Sequence, residues 1–287
     1  MSPLRNASTI PTRPLGRTGH SVTLFALGGE GVLRTHGRVA EAAAVIERAL
    51  DCGVNYCDTA PAYSSSMDYY GAVLGERREE IFLASKTADR TRDGSLRILD
   101  DSLRRLRTDR LDLWQLHDLR SMDEVDTIFS KDGAIHALVQ ARDEQRVRFL
   151  GITGHHDPAV LVEAMRRFDF DTVLVALNTA DVHRRSFTRT VLPEARRRKM
   201  GVIGMKVYAA GELVEPRGPC SPADAMGYVL SLEGVSCAVV GCSTPDEVEA
   251  NAEVARRFRS FSRERLHDLE ERTRPEEAVY TSYKKAR

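Results

Sequence analysis

Four side chains able to place a proton on an oxygen stand at the ends of three successive apolar runs. The stretch Gly53-Val-Asn-Tyr-Cys-Asp-Thr-Ala-Pro-Ala-Tyr63 carries Asp58 and, five residues on, Tyr63. Ile81-Phe-Leu-Ala-Ser-Lys86 ends on a lysine, and Leu111-Asp-Leu-Trp-Gln-Leu-His117 on a histidine. A phenol is a weak acid near neutral pH, with an ordinary pKa of about 10. A neighbouring ammonium favours the phenolate and can lower that value by ~1–3. A carboxylate can keep the ammonium charged, and an imidazole can donate a hydrogen bond to the same substrate oxygen. Asp, Tyr, Lys and His in this arrangement suffice to protonate a carbonyl oxygen.

Strand-length apolar runs recur along the chain: Val22–Leu27, Val54–Cys57, Ile81–Ser85, Leu111–Leu116, Val147–Ile152, Thr172–Leu177, Gly201–Met205 and Ser236–Val240. They are apolar throughout rather than alternating, as expected of parallel strands covered on both faces. Amphipathic stretches lie between them: Val39–Leu50, Ala134–Asp143, Ala159–Phe168, Phe187–Arg198, Pro222–Leu232 and Pro245–Phe258. Pro222 and Pro245 fall at first-turn positions after Ser221 and Thr244, a helix-start signature. Eight strand–helix units predict an α/β fold of the (β/α)₈ TIM-barrel type, as one domain over residues 1–287. A short hairpin at about 12–24 and a charged tail at about 260–287 flank it. A doubly wound dinucleotide fold is disfavoured, because Leu27-Gly-Gly-Glu-Gly31 lacks the GxGxxG spacing and reads as running on into a loop. In a barrel of this type, chemistry belongs at the C-terminal ends of the strands. Asp58, Lys86 and His117 fall there, as do Thr153-Gly154-His155, Asn178, Lys206 and Cys242-Ser243. Tyr69, Tyr70 and Trp114 read as packing residues.

Composition narrows the function classes. The 287 residues carry 42 basic and 42 acidic side chains, which leaves no electrostatic footprint for nucleic acid or an anionic membrane. The basic runs Arg104-Arg105 and Arg196-Arg-Arg-Lys199 fall late in predicted helices and read as solvated faces. Five cysteines without CxxC spacing argue against a disulfide framework or a zinc or iron–sulfur site. Cys52, Cys57 and Cys237 lie among apolar residues as small core residues. No metal is expected to be needed: the eight histidines include no HExxH, and His155-His156 are adjacent rather than at helical spacing. No run approaches the ~20 residues of a membrane span, and no secretion signal is evident. The expectation is a cytoplasmic monomer or small homo-oligomer.

GVNxxDTAxxY, SK and QLH, in this order and at these intervals, resemble the aldo-keto reductase superfamily. The likeness runs from Arg13-Pro-Leu-Gly-Arg-Thr-Gly19, similar to the family's opening hairpin, to about Asn251. A subgroup of bacterial members with a Gly-His-His-Asp-Pro loop looks similar to this chain. The resemblance implies an NAD(P)H-dependent reductase of small carbonyl compounds. It makes Tyr63 the proton donor, Lys86 and Asp58 its tuning pair, and His117 the group that orients the carbonyl. A cofactor-binding regulatory barrel with negligible turnover is the alternative.

The resemblance also implies where the cofactor lies, and this chain departs from the family at several of those places. Ser64-Ser-Ser66 follows the tyrosine, where the family usually has Gly. Thr153-Gly154 stands for the Ser-Asn pair that grips the carboxamide, so a hydroxyl is kept and an amide lost. The usual glutamine of the sixth strand aligns with Leu174, which makes Asn178 the polar contact there. Met205, beside Lys206, takes the place of a stacking tyrosine. After the eighth strand, Gly241, Cys242, Ser243, Thr244, Glu247 and Asn251 are the expected binding residues, with Ser243 and Thr244 able to meet a phosphate. Cys242 stands where a phosphate-binding lysine would be, and Glu247 about where an arginine would be. A carboxylate repels a 2′-phosphate yet can accept from a ribose hydroxyl, so NADH or dual use is favoured over strict NADPH use.

Overall fold

The computed structural model describes residues 9–284. Eight parallel strands close into a barrel: β3 (Phe25–Gly31), β4 (Tyr56–Asp58), β5 (Phe82–Thr87), β6 (Leu111–Leu116), β7 (Val147–Gly154), β8 (Thr172–Ala176), β9 (Gly201–Met205) and β10 (Val235–Cys242). β10 pairs with both β9 and β3, which completes the ring. Helices α1 (Val39–Asp51), α2 (Ser66–Val73), α3 (Arg92–Leu106), α4 (Met122–Ile128), α5 (Ala134–Asp143), α6 (Pro158–Arg167), α7 (Phe187–Arg197), α8 (Pro222–Ser231) and α9 (Pro245–Arg257) fill the connections. α10 (Arg263–Thr273) and α11 (Glu277–Tyr280) form the C-terminal segment. Residues 285–287 of the anticipated tail lie outside the described residues. Among those described, no helix is long and apolar enough to cross a membrane.

The apolar run at Val22–Leu27 serves two elements rather than one strand. β1 (Thr12–Pro14) and β2 (Ser21–Thr23) form an antiparallel hairpin. Leu24 then turns the chain, its N–H donating to Pro11 O, before β3 enters the barrel. β3 also continues through Gly28–Gly31, past the Leu27 end of the predicted run. The reason is steric: a Cβ at Gly31 would stand 2.4 Å from Cys242 O, and one at Gly29 would stand 2.6 Å from the Tyr63 ring. Only glycine lets β3 lie this close to β10 and to the tyrosine.

Two apolar layers separate cleanly. The larger packs helices onto the outside of the barrel. The smaller fills its interior with Tyr56, Phe82, Ala84, Leu113, Leu174, Ile203, Cys237 and Val239, closed below by Leu15 and Val22. Because side chains alternate along a strand, these interior positions fix what points into the barrel mouth. Tyr56 is followed inward by Asp58, Ala84 by Lys86, and Leu113 by Gln115. The barrel interior and the polar mouth are consecutive layers of the same inward-facing rows. Ser221 and Thr244 cap α8 and α9, each accepting from a backbone N–H of the first turn, with Pro222 and Pro245 next in line.

Candidate functional site

Register brings the four sequence-predicted groups into one cluster. Asp58 lies beside Ala84 and Lys86 beside Gln115. Lys86 Nζ bonds the Asp58 carboxylate and donates to Thr59 O at 2.8 Å. Gln115 Nε2 donates to the second Asp58 oxygen at 3.3 Å. Tyr63 sits half-buried in the loop after β4, with Lys86 Nζ 4.8 Å from its ring centroid. The His117 ring meets it edge-on, with centroids 5.8 Å apart.

Burial pushes the Tyr63 phenol above its ordinary pKa, while the Lys86 ammonium pulls it down. The net direction is therefore upward, opposite to that expected from the lysine alone, because desolvation of the phenolate outweighs the cation. Burial also works against the Lys86 charge, but Asp58 and Tyr63 more than offset it and raise its pKa. Burial, helped by the Lys86 charge, lowers His117 to about 3. Its imidazole is neutral near pH 7 and has one N–H to give.

The loop bearing Tyr63 answers the Ser-for-Gly departure. Ser64 adopts a left-handed backbone with φ of 48°, a conformation that is unstrained for glycine and costs another residue ~1–2 kcal/mol. Arg105 holds it there, donating to Ser64 O at 2.9 Å while pairing with Asp68. Arg105 thus anchors the tyrosine loop rather than forming part of a solvated helix end.

A cavity of about 580 Å³ opens at this mouth. Tyr63 and Asp58 stand at one side, Gly28–Gly31 along β3, and Met205, Lys206, Gly241, Ser243 and Glu247 opposite. Leu174 lines it as well. Three polar side chains in the lining, Glu30, Arg34 and Tyr208, were not marked by the sequence. Arg34 pairs with Glu30 and lies 5.4 Å over the Tyr63 ring. The only signal for that pair was its i, i+4 spacing. Tyr208 donates to Asn251 Oδ1 at 2.6 Å and so fixes a ring against the cavity wall.

The remaining expected cofactor residues are committed elsewhere within the fold. Thr153 Oγ1 accepts from Asp118 N at 2.7 Å. Gly154 is packed against Leu161. Asn178 is fully buried; its amide donates to Lys206 O and to Tyr283 OH, and its Oδ1 accepts from Ala180 N. Cys242 is buried and accepts from Asn251 Nδ2, while Thr244 caps α9. Glu247 reaches back to accept from Ser243 N at 2.7 Å, filling with its own carboxylate the anion position at the helix start. Tyr69 and Tyr70 are buried packing residues, and neither lines the cavity.

A closed parallel barrel with a polar mouth and a buried Asp–Lys pair beneath it defines the class in which the comparisons place the protein. A profile described as the aldo/keto reductase family matches residues 26–224, and the chain belongs to that family. L-galactose dehydrogenase of Arabidopsis thaliana is 27% identical, covering 91% of this chain and 93% of its own length. D-threo-aldose 1-dehydrogenase of a Pseudomonas species is 27% identical, covering 75% of this chain and 83% of its own. An aldo-keto reductase of Bacillus halodurans superposes with a TM-score of 0.78 at 22% identity, over 91% of this chain and 96% of that one. That last likeness concerns the fold.

Proposed function

We propose that the protein is an NAD(P)H-dependent oxidoreductase that reduces small aldehydes or ketones to alcohols, with Tyr63 giving the proton. The observation that carries this reading is the half-buried Tyr63 lining the cavity, with the Lys86 ammonium 4.8 Å from its ring centroid and the His117 ring edge-on to it. A reduced nicotinamide, when bound, supplies the hydride. The cavity of about 580 Å³ has room for an extended ligand, and Gly28, Gly29 and Gly241 contribute to its lining. Met205 and Tyr208 offer apolar and aromatic cover, and Lys206 and Ser243 offer polar contacts. The carbonyl oxygen takes hydrogen bonds from Tyr63 and His117 and receives the Tyr63 proton as negative charge develops on it. Lys86 stabilises the phenolate left behind, and Asp58 holds that lysine charged and in place. Protein donors thus provide the electrophile, and no step calls for a metal.

Glu247 supports NADH or dual use. Its carboxylate occupies the Ser243 N–H that a 2′-phosphate would otherwise seek. Lys206, which lines the same cavity, is the group that could favour phosphate. Balanced charge and five buried thiols support a cytoplasmic setting, and the protein acts as a monomer or small homo-oligomer. The dehydrogenase names of its relatives support the reverse reaction at the same site, since a proton donor for reduction is a base for oxidation.

The decisive experiment follows oxidation of bound NADH or NADPH by 4-nitrobenzaldehyde in stopped flow. Tyr63→Phe is expected to lose ~10²–10⁴-fold in kcat while binding cofactor nearly as well as wild type. A variant keeping more than about a tenth of wild-type kcat removes tyrosine from the role. No oxidation by the wild type would favour a cofactor-sensing barrel instead.

A further inference from the structure

Next to His117, the loops after β6 and β7 bring together three ligand-type side chains that carbonyl reduction leaves unused. Asp118 Oδ1 lies 3.1 Å from His155 Nδ1 and 3.3 Å from His156 Nε2. All three donor atoms fall within 4.8 Å of one another. A tetrahedral zinc with bonds of about 2.0–2.1 Å spaces its ligands about 3.3–3.4 Å apart. Two of the three edges already have nearly that length, and a modest ring rotation closes the third. Sequence spacing conceals the trio, because Asp118 arrives from a different strand end.

The surroundings build this placement. Asp118 is held in a left-handed conformation with φ of 54°. Its N–H donates to Thr153 Oγ1, and the next residue, Leu119, donates to Thr153 O at 2.9 Å. Arg120 Nε takes the other carboxylate oxygen at 2.7 Å, which leaves Oδ1 facing the imidazoles. Asp118 is only 9% exposed, yet among the described residues its Oδ1 has no partner in hydrogen-bonding geometry, and neither has the buried His156 Nε2. Buried polar atoms are normally satisfied, and two such atoms converge here.

We propose that Asp118, His155 and His156 form a binding site for a divalent transition-metal ion, zinc by preference, with a fourth position left to water. Two imidazoles and one carboxylate suit such an ion, whereas magnesium and calcium seek oxygen ligands. Arg120 and Lys206 place positive charge nearby, so the affinity is that of an exchangeable ion rather than of a cysteine-lined structural zinc. The site stands independently of the carbonyl-reduction reading, and the ion does not lie on the path of the Tyr63 proton.

The test uses the full chain, free of any affinity tag and stripped with EDTA. Zinc is titrated by calorimetry, and cobalt is added as a visible reporter of coordination. One equivalent of zinc is expected to bind with a Kd of about 10 µM or tighter, and cobalt is expected to give a tetrahedral spectrum. His155→Gln and His156→Gln should each weaken binding by more than about a hundredfold, beyond the ~10–100-fold typical of outer partners. Arg120→Ala, which frees the outer oxygen of Asp118, should change affinity by only about tenfold. Circular dichroism checks that each variant is folded. Should a histidine variant fail to fold, the stoichiometry and cobalt spectrum of the wild type decide alone. Absence of binding below about 1 mM, an octahedral aquo-cobalt spectrum, or unchanged affinity in the folded histidine variants would overturn the site.

Discussion

A carboxylate and an ammonium withdrawn from water cost several kcal/mol per ion unless they meet with good geometry and further hydrogen bonds. Asp58 and Lys86 satisfy that condition through each other, Thr59 O and Gln115. Lys86→Met should therefore do two kinds of damage. Activity is expected to fall by ~10²–10⁴-fold, and stability by about 3–5 kcal/mol, because Asp58 is left buried and unpaired. The double variant Asp58→Asn/Lys86→Met should recover most of that stability and none of the activity. Urea unfolding alongside kcat/KM checks both; losses that simply add would show that the two groups are not coupled. These residues were legible in the sequence because each ends an apolar run at a strand end. A stronger signal went unused: each Asp, Lys and Gln continues a period-two row that begins in the barrel interior. Arg34, Glu30 and Tyr208 were not legible, since loop shape alone decides whether such side chains face the cavity or solvent.

Elements carry the next level of control. The Tyr63 loop relies on a left-handed Ser64 whose carbonyl is held by Arg105 of α3. Arg105→Gln should lower kcat by about 10–100-fold through misplacement of the phenol. Stability should change by only about 1 kcal/mol, because Asp68 is half-exposed and solvent screens the lost pair in part. Equal kcat in the variant would detach the loop from this anchor. At the start of α9, Glu247→Gln should raise the NADPH-to-NADH ratio of kcat/KM by about tenfold, equivalent to ~1.4 kcal/mol. The substitution removes a charge that opposes the 2′-phosphate and weakens the hold on Ser243 N–H; an unmoved ratio would place that phosphate elsewhere. The strands and six of the helices were readable to within a few residues from apolar runs and caps, whereas the sequence set no bounds on α2, α3 and α4. The glycines of β3 were the exception, because glycine signals a loop by composition and here serves close backbone approach.

For the whole molecule, the barrel was readable from eight repeated units and a short helix packed over it from the tail, whereas the tail's buried contacts were not readable from its charged composition. Lys284 is buried against Asp181 at 2.5 Å and also donates to Arg184 O, while Tyr283 accepts from Asn178 below the β8–α7 connection. Lys284→Ala is expected to cost about 3 kcal/mol, the low end for breaking a buried pair. The cost stays there because Asp181 keeps bonds from Phe187 N and Thr188 N. Thermal melts measure it, and a shift below about 2 °C would mean that the lysine contributes little.

All five cysteines are free and buried, Cys237 inside the barrel and Cys52, Cys57, Cys220 and Cys242 in the layer between barrel and helices. Burial pushes the thiols of Cys57 and Cys242 up to about 12, and a thiol reacts only as thiolate. The native barrel should therefore stay silent toward a chromogenic disulfide reagent and release five equivalents of colour once denatured. The chain carries its own internal clock for unfolding, readable in a cuvette without any label.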